Sequence, residues 1–354
     1  MSAPIITTQN WHPAAYDLVI DVRAPCEFAD DHIVGAVNMP VLSDAERVEI
    51  GTLYKQTSPF AARKRGAALV SRNIALHLEE RLRDFPSDFS PLIHCWRGGQ
   101  RSRAFAHILS EVGWRCHLLE GGYKAYRRDI LDRLAADFSS LSLVIIAGRT
   151  GSAKTDILGQ IAKMGGQILD LEGLACHRGS LLGRWPDMAQ PTQRYFESAL
   201  IDKVREFDKA KPVYVESESS RIGNLQLPTA LWRLMTISPM VTIETPAQAR
   251  AQYLLSGYHH LLSQNSDMLK LIGGMRHRHG AAITDNWRDL FEAENWLELA
   301  KALLIEHYDP AYDSSVGRHQ REVLARLSQK DCQPETIAQT AQAILGLSPA
   351  RAQA

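Results

Sequence analysis

The sequence has little of what marks secreted, membrane-embedded or strongly charged proteins. It has 5 cysteines in 354 residues, without regular spacing, which argues against a disulfide framework and indicates a reducing compartment. Its 40 basic and 40 acidic residues balance, so a nucleic-acid surface must be a local patch. No run approaches the roughly 20 apolar residues that cross a bilayer, and residues 1–6 do not resemble a signal peptide. We therefore expect a cytoplasmic protein without a membrane partner.

The most informative segment is residues 92–102, LIHCWRGGQRS. An apolar run carries Cys95 to the end of a predicted strand, and a glycine loop leads into a predicted helix. Glycines let backbone N–H groups converge above the sulfur, while the helix N-terminus and the arginines add positive potential. Such surroundings favour a thiolate and hold an anion beside it. We predict Cys95 as the catalytic residue. The predicted anion loop consists of Arg97, Gly98, Gly99, Gln100 and Arg101.

Three further motifs occur around this loop: IDVRAPCEF at 20–28, HIVGAVNMP at 32–40 and LEGGYKAY at 119–126. With these residues the first third of the chain resembles the rhodanese family. The resemblance implies that Cys95 carries sulfur or selenium as a persulfide or perselenide. It also implies that Asp21 and Arg23 support the site structurally. Cys26 has no counterpart role, and we interpret it as a packing residue.

The chain is predicted to contain two domains, residues 1–137 and 138–354, joined near the polar connector SSLS at 139–142. Short apolar runs alternate with helical patterns in both halves, which predicts parallel sheets with helices on their faces. The predicted fold class is α/β: a rhodanese-like parallel-sheet domain, then a P-loop NTPase-like α/β domain with a helical C-terminal part from about Asp285.

A second loop, GRTGSAKT at 148–155, lies between an apolar run and a helical pattern. Backbone N–H groups, the Lys154 charge and Mg²⁺ ligation by Thr155 together make a phosphate cradle. The segment resembles the Walker A motif of P-loop NTPases, but Ala153 stands where that family has glycine. The added methyl weakens the case for ATP hydrolysis and leaves the anion site. The predicted diphosphate site consists of Gly148, Arg149, Thr150, Gly151, Ser152, Ala153, Lys154 and Thr155.

Acidic and basic residues complete the candidate sites. Glu216 and Glu218 follow the apolar run at 213–215, where a Walker B acid would stand near a metal or a water. No N-K-x-D motif is present, so a prenyl diphosphate would suit the cradle as well as a nucleotide. Basic clusters favour RNA, and the rings among them are predicted to stack an unpaired base. The clusters lie at 63–65, 101–103, 124–128 and 276–278, and the rings are Trp96, Tyr123 and Tyr126.

Taken in order, CWRGGQRS, EGGYKAYRR, GRTGSAKT, DLEGLACHRGS and VESESSRIG make most of the chain resemble the tRNA 2-selenouridine synthase family. The resemblance implies that selenium from selenophosphate replaces the sulfur of 2-thiouridine at the wobble position, after S-geranylation with geranyl diphosphate. Its implied partners are tRNA, through the anticodon loop that carries the thiouridine, and an enzyme that supplies selenophosphate. Arg97 and Arg101 would then hold selenophosphate beside Cys95.

Two other functions stay open at this point. One is a rhodanese-type sulfurtransferase fused to a small-molecule kinase, which nucleotide turnover without RNA would favour. The other is a non-catalytic RNA-binding module whose two sites are relics, which an unchanged phenotype of Cys95→Ser would favour.

Overall fold

Two five-stranded parallel sheets organise the chain. The computed structural model describes residues 2–177, 188–257, 265–316 and 321–347. The chain divides into two compact units, Met1–Ala136 with Pro191–Asp202 and Asp137–Gln190 with Lys203–Ala354. The parallel sheets, the helices around them and the helical C-terminal part confirm the predicted α/β class.

The sheet of the first unit has the strand order β1-β5-β4-β2-β3, and every pairing in it is parallel. Its strands are β1 (Ile5–Thr8), β2 (Val19–Asp21), β3 (Val37–Asn38), β4 (Leu92–His94) and β5 (Cys116–Leu119). Its helices are α1 (Pro25–Asp30), α2 (Asp44–Gln56), α3 (Pro59–Glu80), α4 (Gln100–Val112) and α5 (Gly122–Ala136), with a 3-10 turn at Pro13–Ala15.

Local sequence explains where these elements begin. Ser43 and Glu46 form a capping box at the start of α2, and the Ser58 side chain caps α3. The central strands are fully buried, with Ile20 and Ile93 at 0% exposure, as their unbroken apolar runs predict. The edge strand β1 is half exposed and was not foreseen, because a short apolar run at the edge carries no clear period.

The sheet of the second unit has the order β12-β11-β6-β8-β7. Its strands are β6 (Ser142–Gly148), β7 (Gln167–Leu169), β8 (Pro212–Glu216), β11 (Met240–Glu244) and β12 (Val323–Ser328), and β9 (Arg221–Ile222) and β10 (Leu225–Gln226) form a separate antiparallel pair. Its first helices are α6 (Lys154–Lys163), α7 (Leu171–Ala175), α9 (Thr229–Ile237) and α10 (Ala247–Gly257), while α8 (Gln193–Arg205) begins in the first unit and ends in this one. The later helices are α11 (Asn265–Gly274), α12 (Arg276–His279), α13 (Ala281–Glu292), α14 (Trp296–Leu303), α15 (Asp309–Val316) and α16 (Pro334–Gly346), with a 3-10 turn at Asp137–Ser140 and a π-helical turn at Leu304–Tyr308.

Helices of the second unit pack against its sheet and against one another. In the second unit, α6 and α16 bury Ile157 and Ile344 against the sheet residues Ile146 and Val241. The C-terminal helices have a small core of their own, which includes Trp287, so the aromatic residues there pack internally. The first ten residues of α8 belong to the first unit and the remainder to the second. None of the helices in the described ranges is long and apolar enough to span a bilayer.

Candidate functional site

Cys95 lies directly after β4, at the carboxyl edge of the first sheet, and is 3% exposed. The N–H of Gly99, the residue that precedes α4, donates a 3.2 Å hydrogen bond to the Cys95 sulfur, and the Ser102 hydroxyl lies 3.3 Å from it. Both donors stabilise a thiolate, and the first turn of α4 contributes its dipole. The loop that the sequence predicts therefore forms around this sulfur.

The neighbouring turn fixes the shape of the cysteine loop. The N–H groups of Tyr123 and Lys124, at the start of α5, donate to the carbonyls of Cys95 and Trp96 at 2.8 and 3.0 Å. Gly122 makes this approach possible, since a Cβ there would lie 2.2 Å from the Cys95 carbonyl oxygen. Its φ is also +57°, a conformation that costs other residues about 1–2 kcal/mol.

Buried charges support the loop from beneath. Asp21 and Arg23 are fully buried and form an ion pair of 2.5 Å, and the Arg23 guanidinium lies 3.9 Å from the centre of the Tyr123 ring. Burial opposes ionisation of Asp21, but His94 and Arg23 outweigh it and lower the pKa of this carboxyl. Arg23 also donates to the Asp31 carbonyl at 2.6 Å. These contacts agree with a structural role for Asp21 and Arg23.

The two predicted anion-binding arginines differ in the structure. Arg97 is exposed at the loop, and its guanidinium pairs with none of the described residues. Arg101 instead makes a two-point contact with Glu27, at 2.7 and 3.4 Å. Burial raises the pKa of Glu27, but the Arg101 guanidinium outweighs this and lowers it overall. The charge of Arg101 is therefore shared with a carboxylate before any anion binds.

Two interpretations from the sequence are wrong. Cys26 is exposed at the start of α1 and does not pack in the core. Tyr123 and Tyr126 are 2% and 1% exposed, so neither ring is available to stack a base; only Trp96, at 36%, is. The spacing of the tyrosines in the sequence does not show this, because tyrosine is amphipathic and its ring can be buried or exposed at the same spacing.

The basic clusters also carry less free charge than the sequence suggests. Arg65 pairs with Glu49, and Arg276 pairs with Asp285. Arg127 pairs with Glu197 from the part of α8 that belongs to the first unit. Surface pairs of this kind contribute little stability, but they reduce the positive field that attracts phosphates.

In the described part of the chain, no backbone N–H donates to the sulfur of the buried Cys116 or to that of the half-buried Cys332. Burial raises the pKa of Cys116 to about 12. Burial likewise raises the pKa of Cys332 to about 11. These thiols therefore stay protonated at neutral pH, whereas the Cys95 sulfur already accepts a hydrogen bond from a backbone N–H.

The phosphate loop connects β6, the central strand of the second sheet, to α6. The Lys154 Nζ atom donates to the Gly148 carbonyl at 3.0 Å, across the loop. Ala153 has φ +57° and is 3% exposed, so it holds the left-handed conformation that glycine normally supplies, with its methyl group in the core. Arg149 turns to Asp313 at 2.8 Å, which directs its charge to a carboxylate.

Side chains from later in the chain hold the outside of this loop. Arg250 is 2% exposed and contacts both carboxylate oxygens of Asp309 at 2.8 Å. The same guanidinium donates to the Thr150 carbonyl at 3.1 Å. Gln329 donates to the Ser152 carbonyl at 3.5 Å. The sequence did not predict these positioning residues. The residues around an arginine in sequence do not show whether its side chain holds a loop or is exposed to solvent.

Three glutamates meet beside Thr155. One carboxylate oxygen from each of Glu172, Glu216 and Glu218 lies within 4.8 Å of the others. The Thr155 hydroxyl lies 3.1 Å from Glu172 and 3.4 Å from Glu216. The sequence predicted Glu216 and Glu218 near a metal or a water, but it missed Glu172. The feature of the sequence that could have identified Glu172 is its position at the start of α7, just after β7 ends at the same edge of the sheet.

Like charges and burial act together on these glutamates. Burial raises the pKa of Glu216 well above its ordinary value, and the negative charge of Glu172 raises it further. The same two causes raise the pKa of Glu218 to about 8. The Oε1 atom of Glu216 is buried without a hydrogen-bond partner among the described residues. A hard divalent cation such as Mg²⁺ satisfies such an oxygen and removes the repulsion. Thr155 and the three glutamates therefore fit Mg²⁺.

Gln190 joins three polar segments around this site. Its side-chain nitrogen donates to the carbonyls of Ala175 and Ile222 at 3.2 and 3.1 Å, and its oxygen accepts from the Asn224 N–H at 2.9 Å. The segments that contain Ala175, Gln190 and Ile222 therefore meet here. Residues 178–180, the last of the DLEGLACHRGS run, lie outside the described residues.

The folds and sites define the class of the protein: a rhodanese-like cysteine domain joined to a P-loop domain. Family models agree, with a rhodanese-like domain over residues 7–129 and a tRNA 2-selenouridine synthase AAA domain over residues 141–343. The tRNA 2-selenouridine synthase of Alcanivorax borkumensis is 33% identical over 340 residues, covering 86% of this chain and 91% of its own. That of Marinobacter nauticus is 35% identical over 338 residues, covering 87% and 90%. The chain belongs to the tRNA 2-selenouridine synthase family.

Proposed function

We propose that this protein replaces sulfur by selenium in the 2-thiouridine at the wobble position of tRNA, in two steps. The first step alkylates the sulfur with geranyl diphosphate in the P-loop domain. The second step delivers selenium from selenophosphate through Cys95. Family membership supports tRNA selenouridine modification, and the observation that carries the two-step assignment is the coexistence of a donor-lined cysteine loop and a phosphate loop.

Alkylation needs a diphosphate leaving group to be stabilised. The thiouridine sulfur attacks C1 of the geranyl group, a carbon–sulfur bond forms, and the carbon–oxygen bond to diphosphate breaks. Lys154 and the N-terminus of α6 face the position where this negative charge grows. Mg²⁺, held by Thr155 with Glu172, Glu216 and Glu218, would neutralise further diphosphate charge when bound.

Selenium transfer uses the sulfur of Cys95. The perselenide selenium attacks C2 of the uridine, and the geranyl thiolate leaves, which is an easier departure than that of a thiocarbonyl sulfur. A thiol then cleaves the sulfur–selenium bond and releases the selenouridine. In the loading step the phosphorus–selenium bond breaks, water takes the phosphoryl group as phosphate, the sulfur–selenium bond to Cys95 forms, and a disulfide accepts the two electrons and becomes two thiols. Two thiols later return these electrons: the first forms a mixed disulfide with Cys95 as the selenouridine leaves, and the second frees the Cys95 thiol.

Arg97 and the amides of the glycine loop are suited to selenophosphate. The N–H of Gly99 already points to the Cys95 sulfur, so an anion bound over the loop lies beside the nucleophile. An enzyme that makes selenophosphate is the expected supplier. The tRNA anticodon loop is the expected substrate, with Trp96 as the exposed ring near the cysteine.

The two steps are separated by single substitutions assayed with nucleoside mass spectrometry. Lys154→Ala should reduce geranylation of thiolated tRNA at least a hundredfold, yet leave selenation of pre-geranylated tRNA unchanged. Cys95→Ala should give the opposite pattern, and Cys26→Ala, at the exposed cysteine, is the matched control. Selenium incorporation by Cys95→Ala would contradict the carrier role.

A nucleotide-turnover assay, run beside the mass spectrometry on the same proteins, tests the competing function, a sulfurtransferase fused to a small-molecule kinase. Steady nucleotide turnover in the absence of tRNA, together with no geranylated product from the unmodified protein, would support that alternative. The strained Ala153 in the phosphate loop is the observation that favours the prenyl diphosphate.

A further inference from the structure

A cleft of about 670 Å³ opens beside the first two residues of the phosphate loop, Gly148 and Arg149. Its volume falls within the range of small-molecule sites, about 300–1,000 Å³. Strand β11 lines it from Met240 to Glu244, β12 through Arg326, and α15 through Tyr312. All of these residues belong to the second unit.

The sheet order places this cleft on a different side of the loop from the glutamates. Strand β6 ends in the phosphate loop and is central; β8 and β7 lie on one side of it, and β11 and β12 on the other. Glu216 ends β8, and Glu172 follows β7, so the carboxylates occupy the first side. An uncharged organic group attached to a bound diphosphate is poorly accommodated among three like charges. The two carboxylates of the cleft, Glu244 and Asp313, each face an arginine instead, so the cleft is the better direction for such a group.

Polar and apolar atoms contribute about equally to the walls of the cleft. The hydroxyl oxygens of Thr242 and Tyr312 are buried in the protein, so neither is offered to a ligand. Met240 and Pro246 add apolar surface.

The charged groups of the cleft are already paired. Glu244 lies 3.4 Å from Arg326. Arg149 lies 2.8 Å from Asp313. A nucleobase needs free donors and acceptors in fixed directions, and few remain here once these pairs have formed.

We propose that this cleft binds the hydrocarbon chain of the prenyl diphosphate and that Met240 limits the length of that chain. The inference rests on the proposed function, which places the diphosphate in the loop. Ile243 pairs with Gly148 and Met240 with Ile145, so Met240 lies three residues farther from the loop along β11. Three strand residues span roughly 10 Å, which suits an extended ten-carbon chain.

The test is calorimetric titration of the full chain with five ligands: inorganic pyrophosphate, ATP, and the dimethylallyl, geranyl and farnesyl diphosphates. The unmodified protein should bind geranyl diphosphate at least tenfold more tightly than pyrophosphate. Met240→Ala lengthens the cleft and should improve farnesyl relative to geranyl binding at least tenfold. Thr242→Phe fills the cleft and should weaken geranyl binding at least tenfold while sparing dimethylallyl diphosphate.

Pyrophosphate is the folding control, because it contacts the loop alone and should bind every variant equally. Met164→Ala removes an exposed methionine of the same unit and should change nothing. If Thr242→Phe fails to bind pyrophosphate, Met240→Ala decides the question. If the folded variants keep the chain-length preference of the unmodified protein, the cleft assignment is wrong. It is also wrong if Thr242→Phe binds ATP more weakly but binds geranyl diphosphate as before. Geranyl diphosphate that binds the unmodified protein no better than pyrophosphate, while ATP binds tightly, would instead refute the proposed function.

Discussion

The cysteine loop and the phosphate loop occupy the same place in two parallel sheets but are held in different ways. Backbone N–H groups of α5 hold the carbonyls of the cysteine loop, at Cys95 and Trp96. Side chains hold the phosphate loop, with Arg250 on the Thr150 carbonyl and Gln329 on that of Ser152. Backbone contacts demand close approach, whereas side chains reach across a gap.

This difference explains which loop depends on glycine. At Gly122 a Cβ has no space, because the Cys95 carbonyl lies where it would stand. At Ala153 the methyl group is accommodated in the core of the second unit, and only the backbone conformation is unfavourable. A departure from a glycine motif is therefore tolerated where the obstacle is φ alone, and it is excluded where another backbone segment fills the space.

The largest expected effect comes from Gly122→Ala. The overlap with the Cys95 carbonyl and the positive φ together should cost about 2–5 kcal/mol of stability. Selenation of pre-geranylated tRNA should fall at least a hundredfold because the anion loop opens. Thermal unfolding and the selenation assay measure this. Gly51→Ala is the control, since its Cβ meets only the end of the Arg47 side chain at 3.9 Å. Normal selenation by Gly122→Ala would show that loop shape does not matter.

A smaller effect is expected when the side-chain clamp of the phosphate loop is weakened. Asp309→Asn removes the charge that neutralises the buried Arg250 and should lower the free energy of unfolding by about 2 kcal/mol. This is less than the loss expected when the whole side chain of one member of a buried ion pair is removed. Pyrophosphate affinity should fall about tenfold, while the cysteine domain keeps its selenation activity.

Asp313→Asn is the matched control for the clamp, because this carboxylate pairs with Arg149 at the surface and its side chain is 54% exposed. Exposed pairs contribute about 0–1 kcal/mol, so this variant should retain pyrophosphate binding. Equal losses in both variants would mean that the Arg250 contact does not shape the loop.

The sequence was sufficient for the elements and loops that depend on local pattern. Cys95, the phosphate loop and the glutamates at the end of β8 were all placed by a short apolar run that ends in a polar motif. Arg250 and Gln329 were not, because their roles arise from tertiary contacts roughly 100 to 180 residues away in sequence. The buried rings of Tyr123 and Tyr126 show the same limit, since spacing alone does not give the depth of a side chain.

The glutamate cluster gives the phosphate loop a pH dependence of its own. Glu218 has a folded pKa of about 8, above its unfolded value near 4.3. The folded state therefore binds more protons between these values, so stability in the absence of metal should fall as pH rises from about 4 to 8. Mg²⁺ should reverse the trend and bind more tightly at higher pH.

Thermal unfolding at several pH values, with and without Mg²⁺, tests this dependence. Glu218→Gln should flatten the profile and weaken the Mg²⁺ response, whereas Glu335→Gln, at an exposed glutamate on α16, should leave both unchanged. A stability that rises with pH in the metal-free protein would contradict the assignment of Glu218 as a carboxyl that is protonated in the folded state.

The smallest effect is expected from Ala153→Gly. This change tests whether the backbone conformation alone is the obstacle at position 153. Glycine relieves a left-handed alanine by about 1–2 kcal/mol, but it adds freedom to the unfolded chain worth about 0.4–1 kcal/mol and loses the packing of a buried methyl group. These terms nearly cancel, so the unfolding free energy should change by less than about 1 kcal/mol. Loop adaptability should nevertheless increase, so ATP affinity should rise severalfold relative to geranyl diphosphate while geranylation persists. Calorimetric titration with both ligands measures the ratio, and an unchanged ratio would show that Ala153 does not determine which diphosphate the loop prefers.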